Sequence, residues 1–194
     1  MIWIRRLYDW TLAWAAHPKA MWVLFAVAFV ESSVFPIPPD VLLIPMVLAR
    51  PRRAWLIAGV CTVASVLGAL LGYAIGAFAF DTVGAPVLEA LGKADSFAGF
   101  TERYNEWGAW VVLAAGVTPF PFKVVTIMSG ATGLPLLPFI VSSIIARGLR
   151  FFIVAALLWR FGMPVRDFIE RRLGLVFTAA LVAFFGGFLL LRWL

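Results

Sequence analysis

The chain has 194 residues, 63% of them hydrophobic and 13% charged, and carries a net charge of +6. Soluble domains hold about 25% charged residues, so the composition excludes a water-soluble globular protein. The basic surplus reads as arginine flanking membrane segments rather than as a nucleic-acid surface. The single Cys61 excludes an intramolecular disulfide.

Residues 1–19 read as an interfacial amphipathic helix. Trp3, Leu7, Trp10 and Trp14 share one helical face, with Arg5, Arg6 and Asp9 off it, and indole rings favour the membrane interface. His17-Pro18-Lys19 offers no small-residue cleavage site, so no cleavable signal peptide is expected. The stretch 20–49 is apolar but interrupted by Pro36, Pro38, Pro39 and Pro45. Proline removes a backbone donor and clashes with the preceding turn, which predicts a hairpin that enters and leaves on one side. Lys19 before it and Arg50, Arg52 and Arg53 after it place that side in the cytoplasm.

The run 54–80 is long enough to cross ~30 Å of hydrocarbon. Its Gly68, Gly72 and Gly76 stand four apart, a smooth face for close helix packing. The segment 81–107 sets Asp81, Glu89, Asp95, Glu102 and Glu106 against Lys93 and Arg103, and reads as one amphipathic surface helix on the outer side. A second proline-broken segment, 108–131, then enters and leaves from outside. The helix 138–159 crosses back to Arg160, Arg166, Arg171 and Arg172, and a C-terminal transmembrane helix closes the chain over 173–194. The expected fold is an all-α polytopic membrane protein, an inverted repeat with two re-entrant hairpins. Its membrane domain spans 20–172, with halves at about 20–80 and 103–163.

The repeat is visible in the residues. Val34-Phe35-Pro36-Ile37-Pro38-Pro39-Asp40-Val41 returns 83 residues later as Val117-Thr118-Pro119-Phe120-Pro121-Phe122-Lys123-Val124. Both copies read V-x-P-x-P-x-charge-V, with the charge reversed. Paired proline breaks in corresponding halves point to a site at mid-membrane. The sequence therefore predicts that Asp40 and Lys123 meet where the hairpins oppose each other.

Glu31, Asp40, Lys123, Arg147 and Arg150 are charges inside apolar segments, each costing on the order of 2.5–3.5 kcal/mol at a helix centre. Arg147 and Arg150 share a helical face. Two readings follow. The acids neutralise the bases and lock the hairpins together, or the five line a polar cavity whose surplus positive charge draws an anionic group, with arginine suited to phosphate. A desolvated carboxylate there is also a candidate proton carrier.

Enzyme chemistry finds little support. His17 is the single histidine, and no metal-ligand cluster, G-x-S-x-G elbow or phosphate-binding glycine loop is present. Ser129 and Lys123 are six apart across a broken segment, a poor dyad. No catalytic residue, cofactor or metal is expected.

The run Glu31-Ser32-Ser33-Val34-Phe35-Pro36-Ile37-Pro38-Pro39-Asp40 resembles the DedA family, the VTT-domain or SNARE-associated Golgi protein group. The second half is similar too: Arg103-Tyr104 before Gly108, then the hairpin and Ser129-Gly130. The family's usual R-F-x-P-x-x-R is replaced by Thr118-Pro119-Phe120-Pro121-Phe122-Lys123. Arg147-Gly148-Leu149-Arg150-Phe151 is closer to the small YqaA-like branch. The resemblance implies two re-entrant hairpins and flipping or scrambling of phospholipids or undecaprenyl phosphate, often driven by the proton-motive force. Glu31 and Asp40 match the family's essential acids, and Lys123, Arg147 and Arg150 stand in for its arginines.

The reading is a multi-pass protein of the bacterial inner membrane that moves a phosphate-bearing lipid between leaflets. Membrane lipids are its partners, and protons and a second copy of the chain are candidates. Glu31, Asp40, Lys123, Arg147 and Arg150 form the binding or relay site, and Pro36, Pro38, Pro39, Pro119 and Pro121 form the breaks. The alternatives are a small proton- or ion-coupled transporter and a structural protein with a buried ionic lock.

Overall fold

A 26-residue helix, Ala54–Ala79 (α3), carries the rest of the fold. It begins after a short 3-10 turn at Pro51–Arg53, and its interior holds no proline to stop it. In the computed structural model, residues 19–34, 38–92, 94–118 and 120–171 are described. The expected interfacial helix up to residue 18, the expected C-terminal span over 173–194, Pro36 and Pro119 all lie outside the described residues.

Among the described residues, two short helices come before α3: Ala20–Ser33 (α1) and Asp40–Ala49 (α2). After it, a wider π turn at Phe80–Gly84 leads into Ala85–Ala90 (α4). Ala94–Val117 (α5), Phe122–Ala131 (α6) and Leu136–Arg171 (α7) follow. The turn into α7 needs Gly133, whose φ of +63° is left-handed. Pro164 interrupts α7: it offers no donor to the Arg160 carbonyl, and Phe161 leaves helical geometry at φ −121° and ψ 21°.

The acidic segment differs from its expected form. It is not a separate surface helix over 81–107. Its first part prolongs α3 through the π turn and α4, and its second part is the start of α5. No proline lies between Ala94 and Val117, so nothing divides the linker from the first limb of the second break. Gly108 sits inside that helix because the Leu134 side chain passes where a Cβ would project.

The buried side of α3 is built from small and weakly polar residues: Ala54, Ala58, Cys61, Thr62, Ala64, Ser65, Gly68, Ala69, Gly72 and Gly76. Its exposed side carries Leu56, Val63, Leu67, Leu71 and Phe78. Small residues inside and large apolar residues outside are what a helix needs when lipid is the solvent. By length and hydropathy, Pro51–Ala90 and Leu136–Gly162 are able to cross a bilayer. At 1.5 Å per residue, α1, α2 and α6 reach only about 15–21 Å.

Helices α3 and α7 run antiparallel. Trp55 stacks near Phe152 and Trp159 at one end, and Tyr73 meets Phe139 at 5.0 Å nearer the other. Two separate cores flank them. The first joins α1 and α2 to α3 as far as Ala64 and to α7 from Phe151 onward. The second joins Val112 and Ala115 of α5 and Phe122 and Val125 of α6 to Ala69 and Phe139. Between the two cores lies a polar layer.

Candidate functional site

The layer begins with backbone groups that proline leaves without donors. In a helix each carbonyl accepts from the N–H four residues on, and proline has none. The Ser32 carbonyl would need Pro36, and the Val34 carbonyl would need Pro38. Both receive donors from α6 instead: Thr126 Oγ1 lies 3.1 Å from the Ser32 oxygen, and Lys123 Nζ lies 3.3 Å from the Val34 oxygen. Thr126 also reaches the Lys123 carbonyl at 2.9 Å. The same device recurs before α7, where Pro138 cannot serve the Leu134 carbonyl and Tyr73 Oη donates to it at 2.7 Å.

Glu31 and Arg147 form the buried part of the site. Arg147 Nη2 donates to Glu31 Oε2 at 2.6 Å, and Arg147 Nε donates to Ser65 Oγ at 2.6 Å. Ser65 and Ser32 hydroxyls lie 2.6 Å apart, and Ser32 donates to Glu31 Oε2 at 3.0 Å. Because Ser65 accepts from Arg147, its own proton is free for Ser32, and the four groups close a ring. Phe122 and Phe151 cover the guanidinium at 4.9 and 4.7 Å, a cation–π arrangement. Arg147 is 1% exposed. Ser65 and Arg147 each stand eleven residues into their antiparallel helices, about 16 Å along at 1.5 Å per residue. That is half of a ~30 Å hydrocarbon layer.

Asp40 and Arg150 form the open part. Arg150 Nη2 donates to Asp40 Oδ2 at 2.6 Å, with the two side chains 19% and 22% exposed. Arg150 Nη1 also donates to the Thr118 carbonyl at 3.0 Å, at the end of α5. One guanidinium thus ties the foot of the first break to the start of the second.

The structure brings all five predicted charges into this layer but pairs them differently from the motif-based expectation. The ionic partner of Asp40 is Arg150, while Lys123 serves a carbonyl. The repeat matched residues by position in each half, whereas the ion pairs run from the first half to α7. Pro38 and Pro39 lie at the first break, with Pro39 fully buried, and Pro121 precedes α6. Ser65 and Thr126 were absent from the sequence-based set. Ser129 Oγ is 2.9 Å from Tyr104 Oη and Lys123 faces Val34, so those two do not form a dyad. A cavity of about 660 Å³ lies elsewhere, between Tyr73, Phe80, Phe97 and Gly133, and none of the five charges lines it. Among the described residues no group of His, Cys, Asp and Glu is able to hold a metal ion.

Comparison with known proteins gives the lineage. The VTT domain model matches residues 37–160. An uncharacterized protein of Haemophilus influenzae is 37% identical over 183 residues, covering 92% of this chain and 95% of the relative. An uncharacterized protein of Histophilus somni is 38% identical over 168 residues, covering 84% and 87%. No solved structure matches. With the domain model running from within the first break past Asp40, Lys123, Arg147 and Arg150, the chain belongs to the DedA family of membrane proteins, defined by the VTT domain.

Proposed function

We propose that this protein moves a phosphate-bearing lipid, such as a phospholipid or undecaprenyl phosphate, between the leaflets of the bacterial inner membrane, without enzymatic chemistry. The observation that carries the reading is the meeting of two helix breaks from separate halves at one charged layer midway along α3 and α7. Helices α1, α2 and α6 are half a bilayer long and pack in two cores on opposite sides of that layer. This arrangement supports two re-entrant hairpins entering from opposite faces as an inverted repeat. Broken backbone at membrane depth is tolerated where protein or a watery path covers it, and the cross-donations supply that cover. The five charges sum to +1, which suits an anionic headgroup.

The burial of Glu31 and Arg147 favours an ionic lock for that pair specifically, leaving Asp40, Arg150 and Lys123 for the cargo. The test is reconstitution into liposomes with a head-labelled phospholipid and a membrane-impermeant quencher. Labelled lipid of the inner leaflet is expected to become accessible faster than in protein-free vesicles. No acceleration with any phosphate-bearing lipid, together with a proton flux, would replace this reading with that of a small ion-coupled transporter.

A further inference from the structure

Arg147 and Arg150 stand three residues apart, yet their surroundings differ. Arg147 has a carboxylate and a hydroxyl as hydrogen-bond partners and two aromatic rings at 4.9 and 4.7 Å. No headgroup reaches it without dismantling the core. Arg150 is one-fifth exposed and holds Asp40 and the Thr118 carbonyl. Lys123 reaches a carbonyl at a long 3.3 Å. With Glu31 neutralising Arg147 and Asp40 neutralising Arg150, Lys123 carries the uncompensated charge of the five.

The geometry points to Asp40 as a built-in competitor for the headgroup site: its carboxylate holds the place on Arg150 that a phosphate oxygen takes when lipid enters, with Lys123 as the second contact. This rests on the reading of the cargo as a phosphate-bearing lipid. Carboxylate and phosphate present the same kind of acceptor to a guanidinium, so exchanging one for the other never leaves Arg150 unpaired. Asp40 is exposed enough to turn away when displaced. A singly charged phosphate takes the cluster from +1 to neutrality, whereas binding at the already neutral Arg147 would leave a buried Glu31 without its partner. Competition also provides release, because the returning carboxylate expels the headgroup.

The experiment titrates the full chain, purified in an uncharged maltoside detergent, with dihexanoyl phosphatidylglycerol and separately with inorganic phosphate. Asp40→Asn keeps the side-chain shape and removes the competing charge. It is expected to bind the lipid at least ten-fold more tightly than the parent. Asp40→Glu is expected to match the parent, and adding Arg150→Gln to Asp40→Asn to abolish the gain. Equal or weaker binding by Asp40→Asn overturns the proposal, and so does a gain seen with inorganic phosphate but not with the lipid. Should Asp40→Asn not fold, Lys123→Gln decides: a several-fold loss of lipid affinity supports the site and an unchanged affinity overturns it. Tighter binding without lipid movement by the parent would remove the transport reading and leave this site standing. Lipid movement by the parent without tighter binding would do the reverse.

Discussion

Thr126 Oγ1 lies 3.1 Å from the carbonyl oxygen of Ser32, the acceptor that Pro36 leaves without a helical donor. The two residues are 94 positions apart, and the contact joins the first break to the second half. Lys123 with Val34 repeats the relationship at Pro38, and Arg150 reaches the Thr118 carbonyl at the second break. A buried carbonyl without a partner costs about 1–3 kcal/mol, so the Thr126 donor is what makes the buried Ser32 end of the first break tolerable.

The two ion pairs differ in burial and therefore in what they contribute to stability. Glu31→Gln leaves Arg147 charged among aromatic rings, and breaking a buried pair costs about 3–5 kcal/mol. Asp40→Asn affects a more open pair, and Arg150 keeps its bond to the Thr118 carbonyl, so the change costs less. Thermal unfolding in detergent is expected to show a large drop in midpoint for Glu31→Gln and a small one for Asp40→Asn. Equal drops would mean that exposure does not separate the pairs.

Ser65→Ala opens the hydrogen-bonded ring. Arg147 Nε loses its acceptor and Ser32 loses its donor, and hydrogen bonds to charged groups are worth about 1.5–3 kcal/mol. A destabilisation in that range is expected. Ser65→Thr keeps the hydroxyl but adds a methyl at a fully buried position, so it should restore little. An unchanged unfolding midpoint for Ser65→Ala would show that the serine is a spectator.

The glycines of α3 are not equivalent. A Cβ at Gly76 would overlap the Ile127 carbonyl, and one at Gly68 would overlap that of Phe29, whereas one at Gly59 meets nothing within 4 Å. Gly59→Ala should stabilise by up to about 1 kcal/mol through helix propensity. Gly76→Ala should push α6 away from α3 and destabilise by more than that gain. Hydrogen exchange of α6 amides is the discriminating measurement: faster exchange in Gly76→Ala alone is expected.

Tyr73→Phe removes the donor to the Leu134 carbonyl while keeping the ring against Phe139. A loss of about 1–3 kcal/mol follows, the cost of an unsatisfied buried acceptor. Tyr104 Oη lies 2.9 Å from Ser129 Oγ and donates at a long 3.4 Å to the Val125 carbonyl, which already has its helical donor within α6, so Tyr104→Phe is expected to lose less. Unfolding of the two variants side by side checks the order.

The breaks at 34–39 and 118–121, the long helices 54–79 and 136 onward, and the five charges were all legible, because proline and buried charge act locally and cost energy wherever they fall. The pairing was not legible. Glu31 and Arg147 are 116 residues apart, and nothing in either neighbourhood says which acid meets which base. The motif alignment suggested Asp40 with Lys123, since it records descent of position rather than contact. Ser65 did leave a trace: it lies three residues before Gly68, on the face that continues through Gly72 and Gly76. The separate acidic helix failed for a different reason, since charge alone sets no boundary where no breaker interrupts the helix.

The cross-donations also impose an order in time. The chain is made from its N-terminus, so Ser32 and Val34 enter the membrane before Thr126 and Lys123 exist. At about 5–20 residues per second, roughly 5–20 s of synthesis separates the first break from its donors. During that interval the early half must keep its open carbonyls near water or the insertion machinery. Final satisfaction of the first break is therefore an event of the second half's arrival, and a chain cut short before α6 would leave the Ser32 carbonyl without its Thr126 donor.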